Sequence, residues 1–156
     1  MRFQTLIMKP LNSLEIRKLL LRDYYSKQIF KGVLSRDQLL SKVKYPSAYV
    51  VNTKPSSHPG EHWLAIYYNE DKEATFFDSY GQHPSYYKMV PYLNKTSVSW
   101  TFNNTQIQGI LSSTCGYYCI YFILLMSRGL CLEDIVKEFN KQDFDLNDFK
   151  ISLLIN

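Results

Sequence analysis

Three side chains in this sequence could carry out nucleophilic chemistry together, and a fourth could assist them. Cys115 heads the apolar run CGYYCIYFILLM and is followed by Gly116. Gln108 lies seven residues before it, His62 stands beside Trp63 in EHWLAIYY, and Asp78 lies at the centre of TFFDSYG. Cys, His, carboxylate and Gln are the inventory of a thiol hydrolase: nucleophile, general base, orienter of the base and oxyanion donor. A helix starting at Cys115 would put its thiolate at the positive end of the helix dipole, which lowers a thiol pKa. Gly116 would let a substrate approach the backbone closely. Cys119, one turn deeper, and Cys131, past Gly129, fit structural roles. Singly, His62, Asp78 or Gln108 would mean little; their order and spacing carry the reading.

These residues need elements to hold them. Residues 63–68 and 75–78 read as adjacent strands joined by the polar turn 69–73. His62 then stands at the start of one strand and Asp78 near the end of the other, so a hairpin brings them together. Residues 115–127 read as a strongly apolar helix stopped by Gly129. Further upstream, Asn12 and Glu15 form a capping box for a first helix. Residues 30–33 read as a turn. Ser35 and Gln38 form a second box for a helix through about 43, broken by Pro46. Residues 48–52 and 97–102 read as strands, 105–108 as a candidate strand, and 54–60 as a loop. A helix from Pro84 to about 93 and closing helices at 132–139 and 148–154 complete the pattern. The expected fold is α+β, with a mixed central sheet carrying His62 and Asp78 and the Cys115 helix packed against it. Residues 1–156 are expected to form a single domain.

Bulk properties narrow the class. With 156 residues, 46% hydrophobic, the chain can bury a core without staples. Three cysteines are a poor disulfide framework and fit a reducing, intracellular compartment. Three His, none spaced as a ligand to the Cys pair, give no metal site. No signal peptide opens the chain, and the longest apolar run is too short for a bilayer, so no membrane partner is expected. Residues 1–54 hold eleven Lys and Arg against three acids, while 55–156 hold seven against eleven. This basic third could face nucleic acid, or could only solvate helix faces.

The stretches GEHWLAIYY, FFDSYG and IQGILSSTCGYYCIYF resemble the adenovirus protease family, and especially its shorter relatives encoded by Polinton/Maverick-type elements and related viruses. The matching positions are Gly60, His62, Trp63, Phe77, Asp78, Tyr80, Gly81, Gln108, Cys115 and Gly116. The proteases of SUMO and other ubiquitin-like proteins share the order more distantly. They often carry Asp before the Cys, where this chain has Thr114. The resemblance implies a papain-like (adenain-type) cysteine protease. Its catalytic residues would be His62, Asp78, Gln108 and Cys115, with the oxyanion bound by Gln108 and the Cys115 N–H. Trp63 and Gly116 would contact substrate, and Trp63 would narrow the cleft so that cleavage falls near Gly-Gly sites. It also implies processing of viral or transposon proteins, in a virion or host nucleus, by a monomer that needs no cofactor, with DNA as an activator. Covalent activation by a disulfide-bonded peptide is not implied, because residues 79–107 contain no Cys. Two other readings stay open: a protease that removes a ubiquitin-like modifier, and a non-catalytic binding module on a protease fold.

Overall fold

A computed structural model describes residues 8–57 and 62–155. Gly60, one of the motif positions, lies outside the described residues. Helix α1 (Ser13–Arg22) begins at the expected capping box: Asn12 Oδ1 accepts from Glu15 N at 2.9 Å, and Asn12 N donates to Glu15 Oε1 at 3.2 Å. Ile16 and Leu20, four apart on one face, are buried. Asp23 ends α1 and accepts from Ser26 N at 2.9 Å, opening the short α2 (Ser26–Ile29).

Residues 30–33 are not a turn. They open strand β1 (Phe30–Ser35), which pairs in parallel with β2 (Ser47–Asn52). The glycine that suggested a turn marks instead a register shift between Phe30 and Gly32. The second capping box forms, with Ser35 N donating to Gln38 Oε1 at 3.1 Å, but it caps only one 3-10 turn, Arg36–Gln38. The chain leaves the helical path because tertiary partners win. Asp37 accepts from Ser56 N at 2.7 Å, and Leu39, Val43 and Tyr45 pack on the sheet.

Strands β3 (Trp63–Tyr68) and β4 (Glu73–Phe77) form the expected hairpin, and β5 (Ser99–Phe102) pairs in parallel with β4. The sheet order is β1-β2-β3-β4-β5, antiparallel at its centre and parallel at both edges. Residues 105–108 are a loop, since Ile107 N and Gln108 N both turn to Ser79 O, at 2.9 and 3.1 Å. The helix expected from Pro84 splits into a 3-10 turn, Pro84–Tyr87, and α3 (Val90–Thr96), because Lys88 adopts φ 57° between them. Helix α4 (Cys115–Met126) begins at the nucleophile candidate, and Gly129, φ 87°, follows its end. Helices α5 (Leu132–Lys137) and α6 (Phe144–Ile155) close the chain. Helix α6 starts earlier than its sequence suggests, because Asp143 Oδ1 caps Leu146 N at 3.0 Å.

Strand alternation sends Ala65, Phe77, Ala48 and Val50 to one face, where α1, α4, α5 and α6 cover them. Leu64, Ile66, Phe76 and Val51 face the other side, against Met89 and Leu93. The Phe77 ring stacks on Phe122 of α4, centroids 4.7 Å apart. That contact joins the strand leading into Asp78 to the helix that begins with Cys115.

Candidate active site

His62 and Asp78 meet just beyond the open end of the hairpin. The last pair of the ladder is Ala65 with Phe77, and the chain then turns, with Gly81 N donating to Asp78 O at 2.8 Å. His62 Nε2 lies 2.6 Å from Asp78 Oδ1, and Tyr80 stacks on the imidazole with centroids 4.2 Å apart.

Asp78 is fully buried and fully partnered. Its Oδ1 also accepts from Tyr80 N at 3.0 Å, and its Oδ2 accepts from Gln82 N at 3.1 Å and Tyr87 Oη at 2.7 Å. Asn103 holds its backbone, accepting from Asp78 N at 2.9 Å and donating to Asp78 O at 2.5 Å. The carboxylate keeps one lone-pair direction for the histidine and spends the rest on its own fixation. None of Tyr87, Asn103 or Tyr80 was singled out as a site residue in the sequence beyond the motif position of Tyr80.

The other His62 nitrogen, Nδ1, is buried and has no hydrogen-bond partner among the described residues. Cys115 lies close to the ring, and Trp63 N, the next residue along, donates to its Sγ at 3.4 Å. Burial opposes a charge on His62, but the hydrogen bond to Asp78 and the thiol of Cys115 outweigh it and raise the imidazole to about 9. Cys115 is the first residue of α4, and its N–H has no acceptor among the described residues. Burial pushes the Cys119 thiol well above the usual range, which fits its structural reading.

Gln108 is 0% exposed and held at both ends of its amide. Ser79 Oγ donates to Oε1 at 2.5 Å, and Nε2 donates to Ser112 O at 2.9 Å. The Ser112 carbonyl, which can only accept, fixes which end is the NH2, and one of the two amide hydrogens remains for another acceptor. Ser79 carries this role without any sequence signal except its place after Asp78.

Trp63 lines a cleft of ≈ 590 Å³ together with Cys115, and its Nε1 donates to Leu11 O at 3.1 Å. A second cavity of ≈ 550 Å³ lies on the His62 side, and Tyr80 and Ile110 border both. Gly116 does not open the backbone to substrate. It is buried, and a Cβ there would meet Trp63 Cδ1 at 3.3 Å, Ile16 Cδ1 at 3.4 Å and Leu11 Cβ at 3.4 Å. The glycine lets the start of α1 and the indole close on α4. Among the described residues, no cluster of His, Cys, Asp or Glu could hold a metal ion. Nor is any of their helices long and apolar enough to cross a membrane.

The fold has a counterpart among solved structures. ChlaDub1 from Chlamydia trachomatis superposes with a TM-score of 0.67 at 12% sequence identity, over 98% of this chain and 92% of that one. The ASFV pS273R protease aligns with 70% of this chain and 45% of its own at 22% identity, with a TM-score of 0.44. No protein-family model matches the chain, and no curated protein matches it. The α+β fold with a mixed five-stranded sheet is as the sequence suggested, and it is shared with ChlaDub1.

Proposed function

We propose that this chain is a cysteine endopeptidase in which Cys115, His62, Asp78 and Gln108 do the chemistry. The observation that carries the reading is the imidazole held at 2.6 Å by a buried, fully partnered carboxylate, with the helix-leading thiol of Cys115 close to the ring. A protonated His62 stabilises negative charge on the adjacent sulfur. The Cys115 thiolate attacks the scissile carbonyl, and the oxyanion takes hydrogen bonds from the Cys115 N–H and the free Gln108 amide hydrogen. His62 gives its proton to the leaving amine as the C–N bond breaks. Water, deprotonated by His62, then opens the thioester and frees Cys115.

The passage beside Cys115 supports the substrate preference. Trp63, Tyr80 and Ile110 line the cleft that holds Cys115, and Tyr80 and Ile110 also border the cavity on the His62 side, so a substrate backbone running from one to the other passes these two side chains. We propose cleavage at or beside Gly-Gly pairs. A peptide series varying only the two residues before the scissile bond tests this. Gly-Gly peptides should be cut and their Ala-Ala versions left intact; efficient cutting after bulky residues would remove the narrow-passage reading.

The second reading, removal of a ubiquitin-like modifier, has one specific observation behind it. Ile110 and Leu111, beside the cleft, are 75% and 99% exposed. Such an apolar pair suits contact with a folded partner. Preference for an intact conjugate over its short peptide would favour this reading.

A further inference from the structure

Two adjacent residues of the C-terminal helix bracket the loop that carries Gln108. Asn147 Nδ2 donates to Ile107 O at 2.8 Å, one residue before Gln108, and Asn147 is almost wholly buried. The same amide donates to Asn140 O at 2.6 Å, and its Oδ1 accepts from Asn140 N at 2.7 Å, so the clamp is itself anchored. At the far end of the loop, Asp148 accepts from three hydroxyls: Ser112 Oγ at 2.7 Å, Thr114 Oγ1 at 2.9 Å and Tyr118 Oη at 2.7 Å. Ser112 is the residue whose carbonyl holds Gln108 Nε2 at 2.9 Å, and Thr114 immediately precedes Cys115.

The loop between them has no helix or strand of its own. Its backbone could therefore take many paths, and its outer tip, Leu111, touches solvent almost completely. Ser79 holds its start from one side, and α6 holds both of its ends from the other. Asp148 sets Ser112, Ser112 sets the amide of Gln108, and Asp148 also joins the residue before the nucleophile to the first turns of α4 through Thr114 and Tyr118.

We infer that Asp148 is a positioning residue for the oxyanion site, acting through Ser112 and Thr114, with Asn147 as its partner at the other end of the loop. It touches no reacting atom. Its carboxylate holds two catalytic groups, the Gln108 amide and the Cys115 N–H, at a fixed separation. An oxyanion donor displaced by about an ångström loses much of its effect, because preorganisation is what such donors supply. The inference rests on the protease reading for its kinetic consequence and not for its structural one.

The test uses the full chain with Asp148→Ala and Asp148→Asn. With a cleavable peptide, kcat should fall about ten- to a hundredfold while KM stays within about twofold. In a Gln108→Ala background, Asp148→Ala should cost clearly less than it does in the unmodified protein, because the part of its effect that passes through the Gln108 amide is already gone. Alkylation of Cys115 by iodoacetamide, which forms no oxyanion, should keep its rate. Should Asp148→Ala fold poorly, the pair Ser112→Ala and Thr114→Val removes the same hydroxyl links and should give the same kcat loss. An unchanged kcat, or a full additional loss in the Gln108→Ala background, overturns the inference. Backbone amide exchange over residues 107–115 decides the structural part without turnover. If the unmodified protein hydrolyses nothing, the protease reading fails, and the clamp stands only if Asp148→Ala speeds exchange at Gln108 and Cys115 while the interior of α4 is unaffected. Unaltered exchange there overturns it.

Discussion

At the residue scale, His62 sets the pH behaviour. Its pKa is raised from 6.5 to about 9, so the folded state favours the protonated ring. The stabilisation is fully present below pH 6.5 and is lost as pH rises through about 9. In the proposed mechanism the proton held there is the one the leaving amine takes. The alkaline limb of kcat/KM should therefore fall near pH 9, and Asp78→Asn, which keeps the shape and removes the charge, should move that limb to lower pH. An alkaline limb unmoved in Asp78→Asn would mean that Asp78 does not hold the proton. Asp78→Ala is a harsher change than an orienting role alone implies, because it strands Tyr80 N, Gln82 N and Tyr87 Oη. It should lose about 3 kcal/mol of stability as well as activity, measured by denaturant unfolding. Gln108→Ala should cost about ten- to a thousandfold in kcat. Ser79→Ala leaves the amide oxygen without its donor, loosens the side chain and should cost part of that. The four proposed catalytic positions stand out in the sequence because their chemistry is peculiar to their residue types. Ser79, Asn103, Tyr87 and Asp148 do not, because a serine or an asparagine acquires such a role only from what folding sets opposite it.

At the element scale, turns decide where the catalytic groups meet. Gly81 follows β4 at φ 72°, and a Cβ there would sit 2.6 Å from Gln106 N and from Thr105 C. Gly129 has φ 87° but open space around it. Gly129→Ala should therefore cost only the backbone strain, about 1 kcal/mol. Gly81→Ala adds a clash with the backbone leading to Gln108, and should lose both more stability and more activity. Equal effects from the two would mean that the Thr105–Gln106 contact is slack. The capping boxes show what local sequence can and cannot decide. Asn12 and Glu15 start a full helix because Ile16 and Leu20 behind them find the core. Ser35 and Gln38 make the same box, yet no helix follows, since Asp37 is drawn to Ser56 and Leu39 to the sheet. A cap signals where a helix can start; burial decides whether it continues. The missed strand at Phe30 has the same cause, since pairing with β2 is a long-range contact that no local pattern announces.

At the scale of the whole molecule, the charge asymmetry remains a proposal with its own test. Arg17, Lys18, Arg22, Lys27 and Lys31 are all exposed in or after α1. If that face neutralises phosphates, DNA affinity should fall linearly in log–log terms as salt rises, without sequence preference. Reversing Arg17, Lys18 and Arg22 to Glu should weaken it and spare peptide cleavage; no retention on DNA at low salt would leave the charge a matter of solvation. The central claim is that one thiol of three is the nucleophile. It is tested most directly by a Gly-Gly peptide ending in a thiol-reactive vinyl sulfone, incubated with the unmodified protein at neutral pH and mapped by mass spectrometry. The account predicts one adduct, on Cys115, formed in the unmodified protein and in Cys119→Ser and lost in Cys115→Ala. An adduct on Cys119 or Cys131 instead, or none while free iodoacetamide still alkylates Cys115, would contradict it.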